Sequence, residues 1–158
     1  MPALDTMHPP LETLSQSPER SPEDMPAFEC SVISHRISAG FPSPAGDYVE
    51  DGLDLNAYLV RNKPSTFMFS VKGDSMVGAS IESGDKVVVD RAQTPKHNDI
   101  VIAVVDGEYT IKRLFKNQGR VELHPENPSY QPIVFNEGEE LQVWGVVVGL
   151  VRRYASSG

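Results

Sequence analysis

From Phe67 onward the chain repeatedly alternates apolar and polar residues at a period of two, the spacing of a half-buried β-strand. Such runs are read at Phe67–Lys72, Asp85–Arg91, Asp99–Val105, Glu108–Phe115, Arg120–Leu123, Pro132–Phe135 and Leu141–Arg153. Glycine-bearing turns separate them at Ser83-Gly84-Asp85, Asp106-Gly107 and Asn117-Gln118-Gly119. Asp106-Gly107, between two alternating runs, is the strongest hairpin signal. Asn98 opens the Asp99 strand with a residue that tolerates left-handed backbone. One helix is expected: Asp54 can cap a segment from Leu55 to about Asn62, with Pro64 closing it. The pattern predicts a mainly β domain with at most one short helix.

Ahead of this domain the pattern fails. Residues 1–26 hold Pro2, Pro9, Pro10, Pro18, Pro22 and Pro26 among serines and acids, which predicts a stretch that neither holds a helix nor orders itself by burial. Composition changes at Ala27, and Phe28, Cys30, Val32 and Ile37 could lie along an extended strand. The chain therefore divides into a flexible arm, 1–39, and a β-rich body, 40–158.

Charge and cysteine usage narrow the function classes. The 158 residues carry a net charge of −8 and a pI near 4.9. That balance argues against an electropositive face for duplex DNA, and no helix-turn-helix pattern precedes the body. Cys30 is the single cysteine, so no intramolecular disulfide is expected and a reducing compartment is implied. The first 20 residues lack the apolar core of a secretory signal, and the apolar run Val143–Val151 is too short to span a bilayer. A cytoplasmic protein without a membrane anchor is the expectation.

Two residues carry candidate chemistry. Ser75 lies in Gly73-Asp74-Ser75-Met76, a turn that can present a hydroxyl at the end of a strand. Lys112 lies in Tyr109-Thr110-Ile111-Lys112-Arg113-Leu114, sharing one strand face with Thr110 and Leu114. Such a lysine is open to partial burial, which disfavours the ammonium and pulls the pKa below about 10.4. A neutral amine can take a serine proton, as Ser-Lys variants of the Ser-His-Asp arrangement do. Arg113 could not, since guanidinium keeps its proton. Taken alone, a serine after a glycine turn and a lysine on a strand are ordinary features. The four histidines His8, His35, His97 and His124 lack any triad motif, and Cys30 lacks a thiol-peptidase signature. Trp144 reads as core. No metal-ligand spacing and no phosphate loop are present, so neither metal nor cofactor is expected.

The sequence around these residues resembles the LexA/UmuD family of self-cleaving serine peptidases, most closely its UmuD-like members. Gly40-Phe41-Pro42-Ser43-Pro44-Ala45-Gly46-Asp47-Tyr48-Val49-Glu50 is similar to the segment after that family's cleavage point, and Leu53-Asp54-Leu55-Asn56 follows as it does there. Gly73-Asp74-Ser75-Met76 resembles the nucleophile motif; Asp99–Ala103 and Asp106–Lys112 resemble the strand pair carrying the base. Val143-Trp144-Gly145-Val146-Val147 resembles the tail, so the likeness runs collinearly from about 37 to 153. It implies a LexA C-terminal-domain-like β fold, Ser75 as nucleophile, Lys112 as general base, and the Ala39–Gly40 bond as the cut site. A second Ala-Gly pair at Ala45-Gly46 lacks the following Phe-Pro. Alanine before the cut is closer to LexA than to UmuD, where cysteine is usual.

Further implications are a homodimer, stimulation by a RecA filament on single-stranded DNA during the SOS response, and assembly of the shortened form with a UmuC-type subunit into an error-prone translesion DNA polymerase. The arm is longer than is usual for UmuD. Three other readings stand beside this one: a non-catalytic dimeric binding module for a polymerase, a LexA-like SOS or phage regulator without a DNA-binding domain, and a peptidase acting on other chains.

Overall fold

The computed structural model describes residues 19–20, 29–33, 36–42, 44–46 and 49–154. In chain order they form β1 Glu19–Arg20, β2 Glu29–Ile33, β3 Val49–Asp54, α1 Leu55–Leu59, β4 Thr66–Ser70, β5 Lys86–Asp90, β6 Ile100–Val105, β7 Glu108–Asn117, β8 Arg120–His124, β9 Ile133–Phe135 and β10 Gln142–Val151. One antiparallel sheet has the order β1-β4-β5-β10-β6-β7-β8-β9, and β2 with β3 makes a separate two-stranded ribbon. The fold is mainly β with one short helix, as the alternation predicts.

Hairpin chemistry sets the local path. Asp106 and Gly107 both take positive φ, 51° and 78°, and Gln118 and Gly119 repeat this at 50° and 78°. Such pairs match the twist of the strands they join. Asn98 is left-handed at φ 74° before β6.

The period of two then sorts side chains into two cores. On β6, Ile100 and Ile102 join a cluster with Phe69, Met76, Val87 and Val89, while Val101 and Ala103 join Leu114, Leu123 and Val146. On β10 a simple alternation breaks down. Register shifts at Val143/Gly145 and Val147/Gly149 mark bulges, and Trp144 and Val146, two positions apart, pack into opposite clusters.

Several expectations need correction. α1 ends at Leu59 rather than near Asn62, because Lys63–Ser65 form a 3₁₀ turn with Pro64 inside it; Asp54 does cap α1, accepting from the Asn56 N–H. β3 was not expected, since Val49–Asp54 mixes acids and glycine, and its pairing with β2 supplies what propensity lacks. Within the arm, Glu19–Arg20 pairs with Phe67 and Met68 of β4, so the 1–26 stretch is not wholly without partners. Ile37 lies outside β2 and is 93% exposed, while Phe28 falls outside the described residues. Among the described residues no helix is long and apolar enough to cross a membrane.

Gly145 shows how tightly the sheet is filled. A Cβ there would meet Val89 Cγ1 at 2.7 Å, and Val89 is fully buried. Gly145→Ala is therefore expected to lose about 1–3 kcal/mol through overpacking, read from the urea midpoint. An unchanged midpoint would mean that the sheet has slack at this crossing.

Candidate active site

Ser75 sits in a turn built by its neighbours. β4 runs out at Ser70, and Gly73 takes φ 96°, a conformation that L side chains rarely adopt, to bend the chain back. Met76, 1% exposed in the first core, anchors the turn from below, and its carbonyl accepts from the Ala79 and Ile81 N–H groups. The Ser75 hydroxyl is left half-buried at the mouth of a cleft. The backbone N–H groups of Ser75 and Met76 donate to no acceptor among the described residues.

Lys112 reaches the same point from β7. It lies 37 residues from Ser75, and its Nζ donates to Ser75 Oγ at 2.9 Å, Thr110 Oγ1 at 3.0 Å and the Ile111 carbonyl at 3.0 Å. The side chain is largely buried and has no carboxylate partner among the described residues. Burial alone pushes its ammonium below the usual 10.5. An amine in its neutral form has two N–H donors and one lone pair. Thr110 and Ile111 can take the two donors, which turns the lone pair toward the serine hydroxyl. Arranged this way, the pair can move a proton from Ser75 to Lys112.

The cleft beside the pair has a volume of about 450 Å³ and is walled by Phe69, Val71, Tyr109 and Tyr130. Ala39 and Gly40 are elsewhere. Both are exposed on the bend after Ser38, whose Oγ accepts from the Gly40 N–H at 3.2 Å, and neither lines the cleft. The structure thus brings Ser75 and Lys112 together but not Ala39–Gly40.

Of the remaining candidates, those among the described residues make their contacts elsewhere. His124 stacks on Phe115 and pairs with Glu122, while His97 Nδ1 accepts from the Lys116 N–H. His8 and His35 fall outside the described residues. Cys30 is on β2, opposite Leu53. Trp144 meets Phe67, Phe69 and Tyr109 edge-on, with Arg91 4.3 Å above its ring.

Sequence reasoning missed Glu126-Asn127-Pro128-Ser129-Tyr130. The Glu126 N–H donates to the Ser75 carbonyl at 2.7 Å, and the Gly78 N–H donates to the Glu126 carbonyl at 2.7 Å. Asn127 Nδ2 donates to the Asp74 carbonyl at 2.9 Å, and the Tyr130 hydroxyl donates to Asp74 Oδ1. The only advance signal was a cluster of turn-forming residues after β8, which does not reveal what a loop will touch.

In sequence the chain is similar to known proteins. The Peptidase S24-like family pattern matches residues 31–148. Protein SamA of Salmonella typhimurium is 45% identical over 141 residues, covering 89% of this chain and 96% of that protein. Protein ImpA of Escherichia coli is 42% identical over 124 residues, covering 77% and 83% respectively. A LexA repressor of Syntrophotalea carbinolica is 47% identical over 125 residues, covering 79% of this chain and 61% of the repressor.

Lys112 also leaves a mark on stability. Between its lowered folded-state pKa and the unfolded value of 10.5, the unfolded chain binds more protons than the folded one, so stability rises with pH. Relative to Lys112→Met, the wild type is expected to gain stability as pH climbs toward 10.5, measured by urea denaturation at stepped pH. A difference that does not vary with pH would mean that this lysine is not perturbed by folding.

Proposed function

The chain belongs to the Peptidase S24-like family, the SOS-related group of self-cleaving serine peptidases that includes LexA and UmuD, and on that footing we propose that it cuts its own Ala39–Gly40 bond using Ser75 and Lys112. The observation that carries the reading is the 2.9 Å contact between the Ser75 hydroxyl and a buried lysine amine that has no carboxylate partner among the described residues.

The steps follow from that contact. Neutral Lys112 takes the Ser75 proton as Oγ attacks the Ala39 carbonyl carbon. The resulting oxyanion is stabilised by backbone N–H groups of the turn, those of Ser75 and Met76 having no acceptor among the described residues. Collapse breaks the C–N bond, and Lys112 returns its proton to the Gly40 nitrogen. Ser75 then carries Ala39 as an ester. Lys112 takes a proton from the attacking water, the ester breaks, the proton returns to Ser75, and residues 40–158 remain.

Two equilibria hold the rate down before any partner acts. Ala39–Gly40 is exposed away from the cleft, so the arm must first swing in. The lysine must also be neutral. A partner that favours the docked, desolvated state accelerates cleavage without contributing a catalytic group. Following the family resemblance, that partner is a RecA filament on single-stranded DNA. The shortened homodimer then joins a UmuC-type subunit in translesion synthesis. The alignment with SamA, which covers 96% of that protein, supports this UmuD-like reading.

Intact-mass spectrometry of the purified protein, held at stepped pH, tests the reaction. A product beginning at Gly40 is expected. Its rate should rise about tenfold per pH unit on the acid side and level off before 10.5, independently of protein concentration. Ser75→Ala and Lys112→Ala should abolish it. No product at any pH, even with RecA filaments added, would overturn the protease reading and leave a binding module; a rate rising with concentration would indicate cutting in trans.

A further inference from the structure

Ser75 and Lys112 belong to separate parts of the fold, one on a turn after β4 and the other on β7. Their 2.9 Å contact is only as good as whatever holds the turn against the strand. Among the described residues, Glu126 joins both by hydrogen bonds. Its backbone N–H holds the Ser75 carbonyl and its carbonyl holds the Gly78 N–H, each at 2.7 Å. Its carboxylate pairs with the Nε of Arg113, the residue next to Lys112 along β7. Arg113 is itself held, since its Nη1 donates to the Asn98 carbonyl at 2.7 Å.

We propose that Glu126 is a positioning residue that sets the serine–lysine separation by strapping the Ser75 turn to the Lys112 strand. The inference rests on the reading of Ser75 and Lys112 as the self-cleaving pair. The strap has no slack at Gly78, where a Cβ would stand 2.6 Å from the Glu126 carbonyl oxygen. Asn127 and Tyr130 continue it to Asp74, so the residues on both sides of Ser75 are held by one loop. The Asp74 carboxylate pushes the Tyr130 phenol above its usual pKa, so this end of the strap stays protonated into alkaline solution. The Arg113 and Glu126 side chains are each 32% exposed, and a pair so open to solvent adds little to global stability. A small displacement of reacting groups, by contrast, can cost up to about a hundredfold in rate. Removing the Glu126 charge should therefore affect cleavage much more than folding.

The test uses full-length protein and self-cleavage at the alkaline plateau, where Lys112 is neutral in every variant. Glu126→Gln is expected to cut about tenfold more slowly at the plateau, with the midpoint of its pH profile and its urea midpoint close to those of the wild type. Exchanging the charges in Arg113→Glu/Glu126→Arg should recover much of the loss, and Gly78→Ala should slow cutting by at least the same factor. A Glu126→Gln plateau within about twofold of the wild type would overturn the proposal. If the wild type never cuts, the reading of the pair fails by itself, and hydrogen exchange still decides on the strap. In Ser75→Ala, adding Glu126→Gln should speed exchange of the Ala79, Ser80 and Ile81 amides about tenfold while leaving β5 and β6 protected. Unchanged protection of that turn would overturn the strap.

Discussion

A buried amine with no carboxylate partner among the described residues, placed on a β-strand, is the constraint on which the site depends. Lys112 loses most of its hydration on folding and gains no counter-charge from the described residues. What it gains is three oxygens, from Ser75, Thr110 and Ile111. That set suits a neutral amine donating twice and accepting once, and suits an ammonium donating three times. The balance between the two forms is shifted toward neutrality by burial. A carboxylate beside Nζ would hold the proton in place, and among the described residues none lies within the lysine's hydrogen-bonding reach, which suits the proposed base.

The sheet supplies both halves of this arrangement by different means. β7 aims Lys112 through strict alternation, with its register fixed on one side by β6 and on the other by β8. The Ser75 turn owes nothing to alternation. It is shaped by the left-handed Gly73, by Met76 in the core and by the loop after β8. In the proposed reaction the scissile bond belongs to neither half. It lies in the connection between β2 and β3, whose ribbon is separate from the main sheet. Two-stranded ribbons are marginal on their own, which fits a segment that must leave one conformation for another.

Much of this was legible in the residues. The strands from β4 to β10, the Asp106-Gly107 hairpin and the Thr110–Lys112–Leu114 face are all local periodicities, and a sequence carries such information directly. The helix end, the pairing of Glu19–Arg20 with β4 and the bulges of β10 were not legible, because partners distant in sequence decide them. The meeting of Ser75 with Lys112 lies between these cases. Spacing and residue type made the two candidates, family resemblance joined them, and only a three-dimensional structure places Nζ and Oγ at 2.9 Å. Glu126 was invisible for the same reason. An acid beside two prolines reads as turn chemistry, and its contacts reach back 51 residues through backbone atoms that carry no sequence signature.

The proposed cleavage turns on the protonation of one side chain, so a direct titration of Lys112 tests it most plainly. Carbon-13 at its Cε, followed by NMR from neutral to alkaline pH in the non-cutting Ser75→Ala protein, reports the amine without relying on any reaction. The expected midpoint lies clearly below 10.5. A midpoint at or above that value would mean an ordinary solvated or ion-paired lysine, and Lys112 could not then serve as the base.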